Sequence, residues 1–215
     1  MLPPSPTVLV VAAAEPAQLA DISERPDLVI AADSGLHAVA GRGWRADLVV
    51  GDMDSVAPTA LDQARREGAT LEQHEVAKDR SDLELALDAA RRFGAASVHV
   101  VVRGGGRLDH QLANLLVLTA PELSSVSISA SVGHHRVWVV RGRRALDLPV
   151  GAHLGLQPVG GPARLTTAGL AYPMTDGTLS PFAAHGIANE VVATPVVVEV
   201  DEGVVLAVSS PTIAG

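Results

Sequence analysis

The chain of 215 residues has no cysteine and a single lysine, Lys78, so its positive charge comes almost entirely from arginine. Without cysteine, disulfides, zinc–thiolate centres and cysteine nucleophiles are excluded, and a cytoplasmic location is the expectation. Only 2 % of the residues are aromatic and the net charge is −8, which leaves little for base stacking or for a basic phosphate-binding surface. Nucleic acid is therefore not an expected partner. No apolar run approaches the roughly 18 residues that cross a bilayer, so no membrane partner is expected either.

Apolar residues are abundant, at 47 % of the chain, which is enough for a substantial core. The first apolar run, "TVLVVA", follows three prolines and no basic residue, so it predicts a buried strand rather than a signal peptide. Similar β-branched runs recur through the first 130 residues: "DLVIAA", "DLVVGD", "SVHVVV" and "VSISA". Their uniform apolarity predicts a parallel sheet that is covered on both faces.

Helical patterns alternate with these runs at residues 57–67, 81–93 and 109–118, which is typical of an α/β layer architecture. The second pattern is the strongest, because Ser81 and Glu84 have capping-box spacing and Gly94 ends the element.

The pattern changes after Gly133, where short strands alternate with glycine and proline turns. This predicts a C-terminal antiparallel β-sandwich after the largely parallel α/β sheet with its flanking helices. We place the boundary within residues 131–136, which gives an α/β nucleotide-binding catalytic domain at 1–132 and a β-sandwich domain at 133–215.

Acidic residues follow the predicted strands. Asp52 and Asp54 come directly after the strand at 47–51, and their side chains point the same way in an extended segment. Two converging carboxylates without a cationic partner form a site for a hard divalent ion such as Mg²⁺. Alone, this D-x-D pattern is weak, since aspartates also cap helices and fill turns.

Three further loops strengthen the pattern. They contain Asp33 and Gly35, then Asp79 and Asp82, then the "GGGRLDH" segment from residue 104 to residue 110, where glycines and a helix N-terminus suit an anion. In open α/β sheets, ligands bind at the carboxyl ends of the strands, so these loops are expected to face one crevice. Together they predict phosphoryl or diphosphoryl transfer from a nucleotide, with no P-loop motif present.

Six segments, in this order and spacing, resemble the successive motifs of the thiamine pyrophosphokinase family: "AADSG", "DLVVGDMDS", "KDRSDLELAL", "GGRLDHQLANLLVL", "LTTAGLAYPM" and "HGIANE". The resemblance implies an enzyme that transfers the diphosphate of ATP to the hydroxyl of thiamine, giving thiamine diphosphate and AMP. It also implies Mg²⁺ as cofactor, thiamine binding by the sandwich domain, and a homodimer with the active site at the subunit interface.

The resemblance carries roles onto residues of this chain. Those expected to act in catalysis are Asp52, Asp54, Lys78, Asp79, Asp82 and Asp109, of which Asp52, Asp54 and Asp79 would bind the metal. Those expected to bind the nucleotide are Asp33, Ser34, Gly35, Ser55, Arg80, Ser81, Arg107 and His110. Those expected to bind the acceptor are Asn114, Ala188 and Asn189. Which aspartate removes the hydroxyl proton stays open.

The chain departs from the family pattern at Ala188, where serine is usual, and at Ser34, where many relatives have glycine. Ser81 replaces the usual threonine and keeps its hydroxyl. The missing hydroxyl at Ala188 and the few aromatic residues leave another acceptor open, such as a hydroxymethylpterin. A Mg²⁺-dependent glycosyltransferase and a non-catalytic sensor of nucleotide or thiamine diphosphate are more distant alternatives.

Overall fold

The computed structural model describes residues 6–75 and 79–210, which form two compact units. The first unit contains the described residues up to Val117 together with Ser125–Gly133. The second contains Leu118–Ser124 together with the described residues from His134 onward. Each unit has its own apolar core.

The first unit is built on six strands in which every pair is parallel. The strands are β1 (Thr7–Ala12), β2 (Leu28–Ala32), β3 (Leu48–Gly51), β4 (Thr70–Gln73), β5 (Ser97–Val102) and β6 (Ser127–Val132). They lie in the order β6-β5-β1-β2-β3-β4. The chain adds strands outward from β1 on one side as far as β4, then returns to add β5 and β6 on the other. The strand order therefore reverses between β1 and β5.

Helices follow most of these strands: α1 (Gly35–Gly41), α2 (Pro58–Arg66), α3 (Asp82–Arg92) and α4 (Leu108–Val117). A short 3-10 helix, Pro16–Leu19, follows β1. The start of α3 is fixed by a capping box, because Glu84 N donates to Ser81 Oγ at 3.2 Å and Ser81 N donates to Glu84 Oε2 at 2.7 Å. Its apolar face is buried, whereas α4 buries no residue completely.

The second unit contains two antiparallel sheets that share one core. One sheet has the order β12-β9-β14-β7 and the other β11-β10-β13-β8. These strands are β7 (His135–Val140), β8 (Arg143–Leu146), β9 (His153–Pro158), β10 (Ala163–Ala168), β11 (Gly177–Leu179), β12 (Asn189–Glu190), β13 (Val196–Glu202) and β14 (Val205–Ser210). Side chains alternate between buried and exposed along β9, β10 and β13, as expected where one face of a strand packs on a core.

The predicted fold class is confirmed: a mostly parallel sheet with helices is followed by antiparallel sheets. The three predicted helices correspond to α2, α3 and α4. The seven-residue α1 was not predicted, because its segment had been interpreted only as a strand-end loop. β4 and the shorter strands of the second unit were also not predicted, since short polar strands carry little periodicity. In the described ranges, no helix has the length and apolar character that crossing a membrane requires.

Candidate active site

Three carboxylates meet at the carboxyl edge of the parallel sheet. Asp33 follows β2, and Asp52 and Asp54 follow the neighbouring β3. One oxygen of each lies within 4.8 Å of the others, and we call these three residues the carboxylate cluster. Adjacent parallel strands end side by side, so the sheet itself brings together residues that are about 20 positions apart in sequence. Hard divalent cations favour such a set of oxygen ligands.

Asp33 is the most constrained member of the cluster. Its backbone N–H donates to the Val50 carbonyl at 2.9 Å, and the Ser55 hydroxyl donates to Asp33 Oδ2. The other carboxylate oxygen, Oδ1, is buried and has no hydrogen-bond partner among the described residues. A buried acceptor without a donor costs about 1–3 kcal/mol, more when it is charged. A bound cation would satisfy this oxygen.

The carboxylates of the cluster repel one another. The pKa of Asp54 is raised, first by a hydrogen bond with Asp52 and second by the negative charge of Asp52. Burial and the negative charges of Asp33 and Asp82 raise it further. Asp82 adjoins the cluster, since a Cβ placed on Gly51 would lie 3.1 Å from Asp82 Oδ1 and 3.2 Å from Asp33 Cβ. Asp82 therefore adds negative charge beside the three carboxylates of the cluster.

The backbone at this edge has an unusual conformation. The chain adopts a positive φ soon after β1 at Ala13 (49°), after β2 at Asp33 (46°) and after β3 at Met53 (65°). Gly105 and Gly106, which follow β5, both have φ of 83°. Residues other than glycine adopt this region at a cost, and such residues concentrate at functional sites. The same edge therefore holds both the acidic side chains and the strained backbone.

Ser34 and Gly35 lie at the start of α1. A Cβ on Gly35 would overlap the Val11 carbonyl oxygen of β1, so glycine lets the helix pack directly on the strand. Ser34 precedes the helix without a capping hydrogen bond from its side chain.

The loop before α3 contains several predicted site residues. Lys78 lies outside the described residues. Asp79 is exposed and is not a member of the carboxylate cluster, whereas Asp33, which was predicted to bind the nucleotide, is one. The metal-binding role of Asp79 stays a prediction. Arg80 points along α3, donating to the Glu84 carbonyl at 3.3 Å and lying 3.8 Å from Asp88. Ser81 has its hydroxyl engaged in the capping box.

A second predicted group lies at the start of α4, where Arg107 precedes the helix and Asp109 and His110 are in its first turn. Arg107 binds the Asp109 carboxylate through two nitrogens, at 3.1 Å and 2.5 Å, and the His110 N–H donates to it at 3.0 Å. The Arg107 hydrogen bond outweighs the smaller effect of burial and, with the His110 bond and both charges, lowers the pKa of Asp109 to about 2. Asn114 is half-buried one turn further along α4.

In the second unit, the side chain of Asn189 forms hydrogen bonds with the backbone of the same unit. Its Oδ1 accepts from the backbone N–H groups of Tyr172 and Glu190, both at 3.0 Å, and its Nδ2 donates to the Tyr172 carbonyl at 2.7 Å. Ala188 precedes it with φ of 59°, in the left-handed region. Asn189 therefore acts on the Tyr172 backbone.

The aromatic side chains of this unit differ sharply in exposure. Trp138 is only 7 % exposed, and the Arg136 guanidinium lies 5.1 Å from its ring centre. Tyr172 is 74 % exposed and Phe182 is 97 % exposed. Phe182 was not among the predicted site residues, because a single phenylalanine between a proline and two alanines carries no sequence signal. Tyr172 and Phe182 are the aromatic surfaces that this part of the described chain presents.

Two family models match the chain, and one of them describes a catalytic domain, so the chain is an enzyme. The thiamin pyrophosphokinase catalytic domain matches residues 19–130, and the thiamin pyrophosphokinase vitamin B1 binding domain matches residues 140–205. The first match alone covers more than half of the chain. The chain belongs to the thiamin pyrophosphokinase family.

Individual proteins support this assignment. The rice protein (Oryza sativa subsp. japonica) named thiamine pyrophosphokinase 1 is 26 % identical over 149 residues, which are 64 % of this chain and 56 % of the rice protein. The chain thus spans little more than half the length of this relative. The crystal structure of thiamine pyrophosphokinase from Bacillus subtilis matches with a TM-score of 0.82 and 20 % identity, covering 96 % of this chain and 100 % of that one. A thiamin pyrophosphokinase family protein from Enterococcus faecalis matches with a TM-score of 0.77 and 24 % identity, covering 95 % and 99 %. At these identities the two structures establish a shared fold.

Proposed function

We propose that the chain transfers the diphosphate of ATP to the hydroxyl of thiamine, giving thiamine diphosphate and AMP. The observation that supports this most directly is the carboxylate cluster with the buried, unpartnered Oδ1 of Asp33. In a family of pyrophosphokinases, a set of oxygen ligands at the carboxyl edge of a nucleotide-binding sheet fits a metal that binds phosphate.

Asp33, Asp52 and Asp54 would hold Mg²⁺, and Asp82 adds negative charge beside them. When bound, Mg²⁺ supplies positive charge that neutralises the phosphate oxygens during transfer. The residues fit this ion because one oxygen of each lies close to the others, and because Asp33 Oδ1 has no hydrogen-bond partner in the described ranges. Lys78 and Asp79, which precede α3 in the sequence, stay proposed site residues.

The reaction requires the acceptor hydroxyl oxygen to bond to the β-phosphorus of ATP. The bond from that phosphorus to the oxygen shared with the α-phosphate breaks, and AMP leaves with the electron pair. The hydroxyl proton must pass to a base, and a carboxylate with a pKa of about 2 is a weak one. We therefore assign Asp109 to holding Arg107 toward the nucleotide, and we assign the base to another of the site aspartates.

Acceptor binding would fall to the second unit. Thiamine carries a cationic ring, and an exposed aromatic face attracts a cation by about 0.5–2 kcal/mol. Tyr172 offers such a face, and Asn189 holds its backbone in place. Ala188 would leave the ligand without the hydroxyl that is usual in the family. Asn114, Ser34, Ser55, Arg80, Ser81 and His110 remain proposed ligand contacts.

We also propose a homodimer with a shared active site, in the cytoplasm. Exposed leucines at positions 108, 112 and 116 of α4 repeat every four residues and form an apolar stripe that suits association. Sedimentation equilibrium at micromolar protein measures the assembly mass, and a monomeric mass would contradict this proposal.

The function is tested by measuring AMP release from ATP with different acceptors. Thiamine with Mg²⁺ should support turnover, and replacing Mg²⁺ with a chelator should stop it. Turnover with a hydroxymethylpterin but not with thiamine would reassign the acceptor. Calorimetric binding of nucleotide or thiamine diphosphate without any AMP release would make the chain a sensor rather than an enzyme.

A further inference from the structure

An ion pair that has no role in the proposed function lies at the point where the strand order reverses. β1 and β5 are neighbours whose last residues, Ala12 and Val102, are register partners. Just beyond them, Arg103 Nη2 binds Glu15 Oε1. In open α/β sheets, ligands bind in the crevice at this reversal, outside the carboxyl ends of the strands. The pair therefore lies at the position where the fold receives a ligand.

Two hydrogen bonds hold these two loops together. The Glu15 N–H donates to Gln18 Oε1 at 2.9 Å, and Gln18 Nε2 donates to the Val102 carbonyl at 2.9 Å. Gln18 thus bridges the loop after β1 and the end of β5. The position of Arg103 is consequently set by the backbone of both strands as well as by Glu15.

Arg103 also supplies positive charge near the carboxylate cluster. The carboxylate cluster lies two and three strands away from β5, or about 10–14 Å at a spacing of about 4.8 Å per strand. A nucleotide phosphate chain there meets several carboxylates and requires cations. Of the other arginines near this edge, Arg107 is already proposed to contact the nucleotide, and Arg80 points along α3. Arg103 has a planar fork suited to phosphate oxygens, held by one carboxylate.

We propose that Arg103 binds the phosphate groups of the nucleotide at the reversal between β1 and β5. In the absence of nucleotide, Glu15 holds Arg103 at this position, and the bound phosphate then displaces the Glu15 carboxylate. This inference rests on the proposed function, since it deepens the nucleotide site. The exchange is favourable because the pair is exposed, with 59 % of the Arg103 side chain and 56 % of the Glu15 side chain accessible. Exposed pairs contribute little to stability, so a multiply charged phosphate replaces the carboxylate readily.

The first test is calorimetric titration of the full chain with Mg²⁺–ADP, which needs no acceptor and no turnover. Arg103→Ala should weaken binding about 10- to 100-fold, as expected for losing a charged hydrogen-bond donor. The matched control is Arg65→Ala, because Arg65 pairs with Asp62 at nearly the same exposure, 59 % and 58 %, on α2. Circular dichroism melting checks that both variants fold. Equal affinity in the wild type and in both variants would overturn the inference.

The second test asks whether Glu15 acts through Arg103. Glu15→Gln should tighten Mg²⁺–ADP binding by up to about fivefold, the amount that an exposed pair contributes. In the Arg103→Ala background the same change should have no effect, because there is no guanidinium left to release. An equal effect in both backgrounds would show that Glu15 acts only by its general charge and would overturn its holding role.

Steady-state kinetics separate this inference from the proposed function. Arg103→Ala should raise KM for ATP more than it lowers kcat, and should leave KM for thiamine unchanged. If the wild type binds Mg²⁺–ADP but never releases AMP, the proposed reaction fails while the titrations still decide the role of Arg103. If the wild type binds no nucleotide at all, both are overturned.

Discussion

Two acidic loops at the same edge of one sheet differ in how their charge is balanced. In the carboxylate cluster, Asp33, Asp52 and Asp54 face one another, and the pKa of Asp54 is raised, mainly by Asp52. At the start of α4, Asp109 is bound by Arg107 and its pKa falls to about 2. The two pKa shifts have opposite directions because Asp54 faces further carboxylates, whereas Asp109 faces a guanidinium. The number of aspartates alone therefore does not identify a metal site.

The largest expected effect is loss of activity when the cluster loses a carboxylate. Asp52→Asn and Asp33→Asn should each lower AMP formation by about 100-fold or more, as expected when a metal site is disrupted. The melting temperature should stay unchanged or rise, because repulsion within the cluster is relieved. Asp62→Asn, in an exposed ion pair on α2, is the control for removing a surface charge. Activity that survives in Asp52→Asn or Asp33→Asn would show that the cluster does not bind the metal.

The second expected effect is stabilisation by Mg²⁺ that depends on pH. A raised pKa means that the folded state binds the Asp54 proton more tightly than the unfolded state does. Without metal, the unfolding free energy should therefore fall as pH rises from 3.8 through the raised pKa. Mg²⁺ at 100 times its Kd should add about 2.7 kcal/mol at pH 7 and little at pH 3.8.

Melting curves with and without Mg²⁺ at several pH values measure this effect. Asp52→Asn should lose the Mg²⁺ response, whereas Asp109→Asn should keep it. A response to Mg²⁺ that disappears in Asp109→Asn but persists in Asp52→Asn would show that the metal binds near Asp109 and not at the carboxylate cluster.

The smallest expected effect concerns the Arg107–Asp109 pair. The lowered pKa of Asp109 stabilises the folded state fully above the unfolded value of 3.8, and this contribution is lost as pH falls through about 2. The difference in melting temperature between the wild type and Asp109→Asn should be constant above about pH 5 and should close toward pH 2. AMP formation should fall less than in Asp33→Asn. A difference that instead grows below pH 4 would mean that Arg107 does not hold the carboxylate.

Much of the fold was predictable, because local pattern encodes local structure. The apolar runs of the first 130 residues became parallel strands, and the spacing of Ser81 and Glu84 became the cap of α3. The acidic motifs were expected at strand ends, and Asp33, Asp52 and Asp54 do follow their strands. Short elements such as α1 and β12 were missed, since a few residues hold too little periodicity to distinguish helix, strand and loop.

The roles assigned to individual site residues stay predictions. Asp33 was assigned to the nucleotide and lies in the carboxylate cluster, whereas Asp79 was assigned to the metal and lies outside it. Asn189 was expected to hold the acceptor, which stays a prediction, and the structure adds that its side chain binds the backbone of Tyr172. Sequence patterns name the residue types that suit a chemistry, but hydrogen-bond partners depend on which segments the fold brings together.

By itself, the amino-acid sequence determined the α/β and antiparallel character of the two halves, the family motifs and the kinds of side chain available to a metal and to phosphate. Only the tertiary structure decided that β1 and β5 are neighbours, that Arg103 therefore meets Glu15 beside the crevice, and that Asp54 faces carboxylates while Asp109 faces Arg107. The reason is physical. Helix and strand formation depend on spacing within a few residues, whereas strand order and charge pairing join residues separated by 20 to 90 positions, and their energies depend on distances that only packing defines.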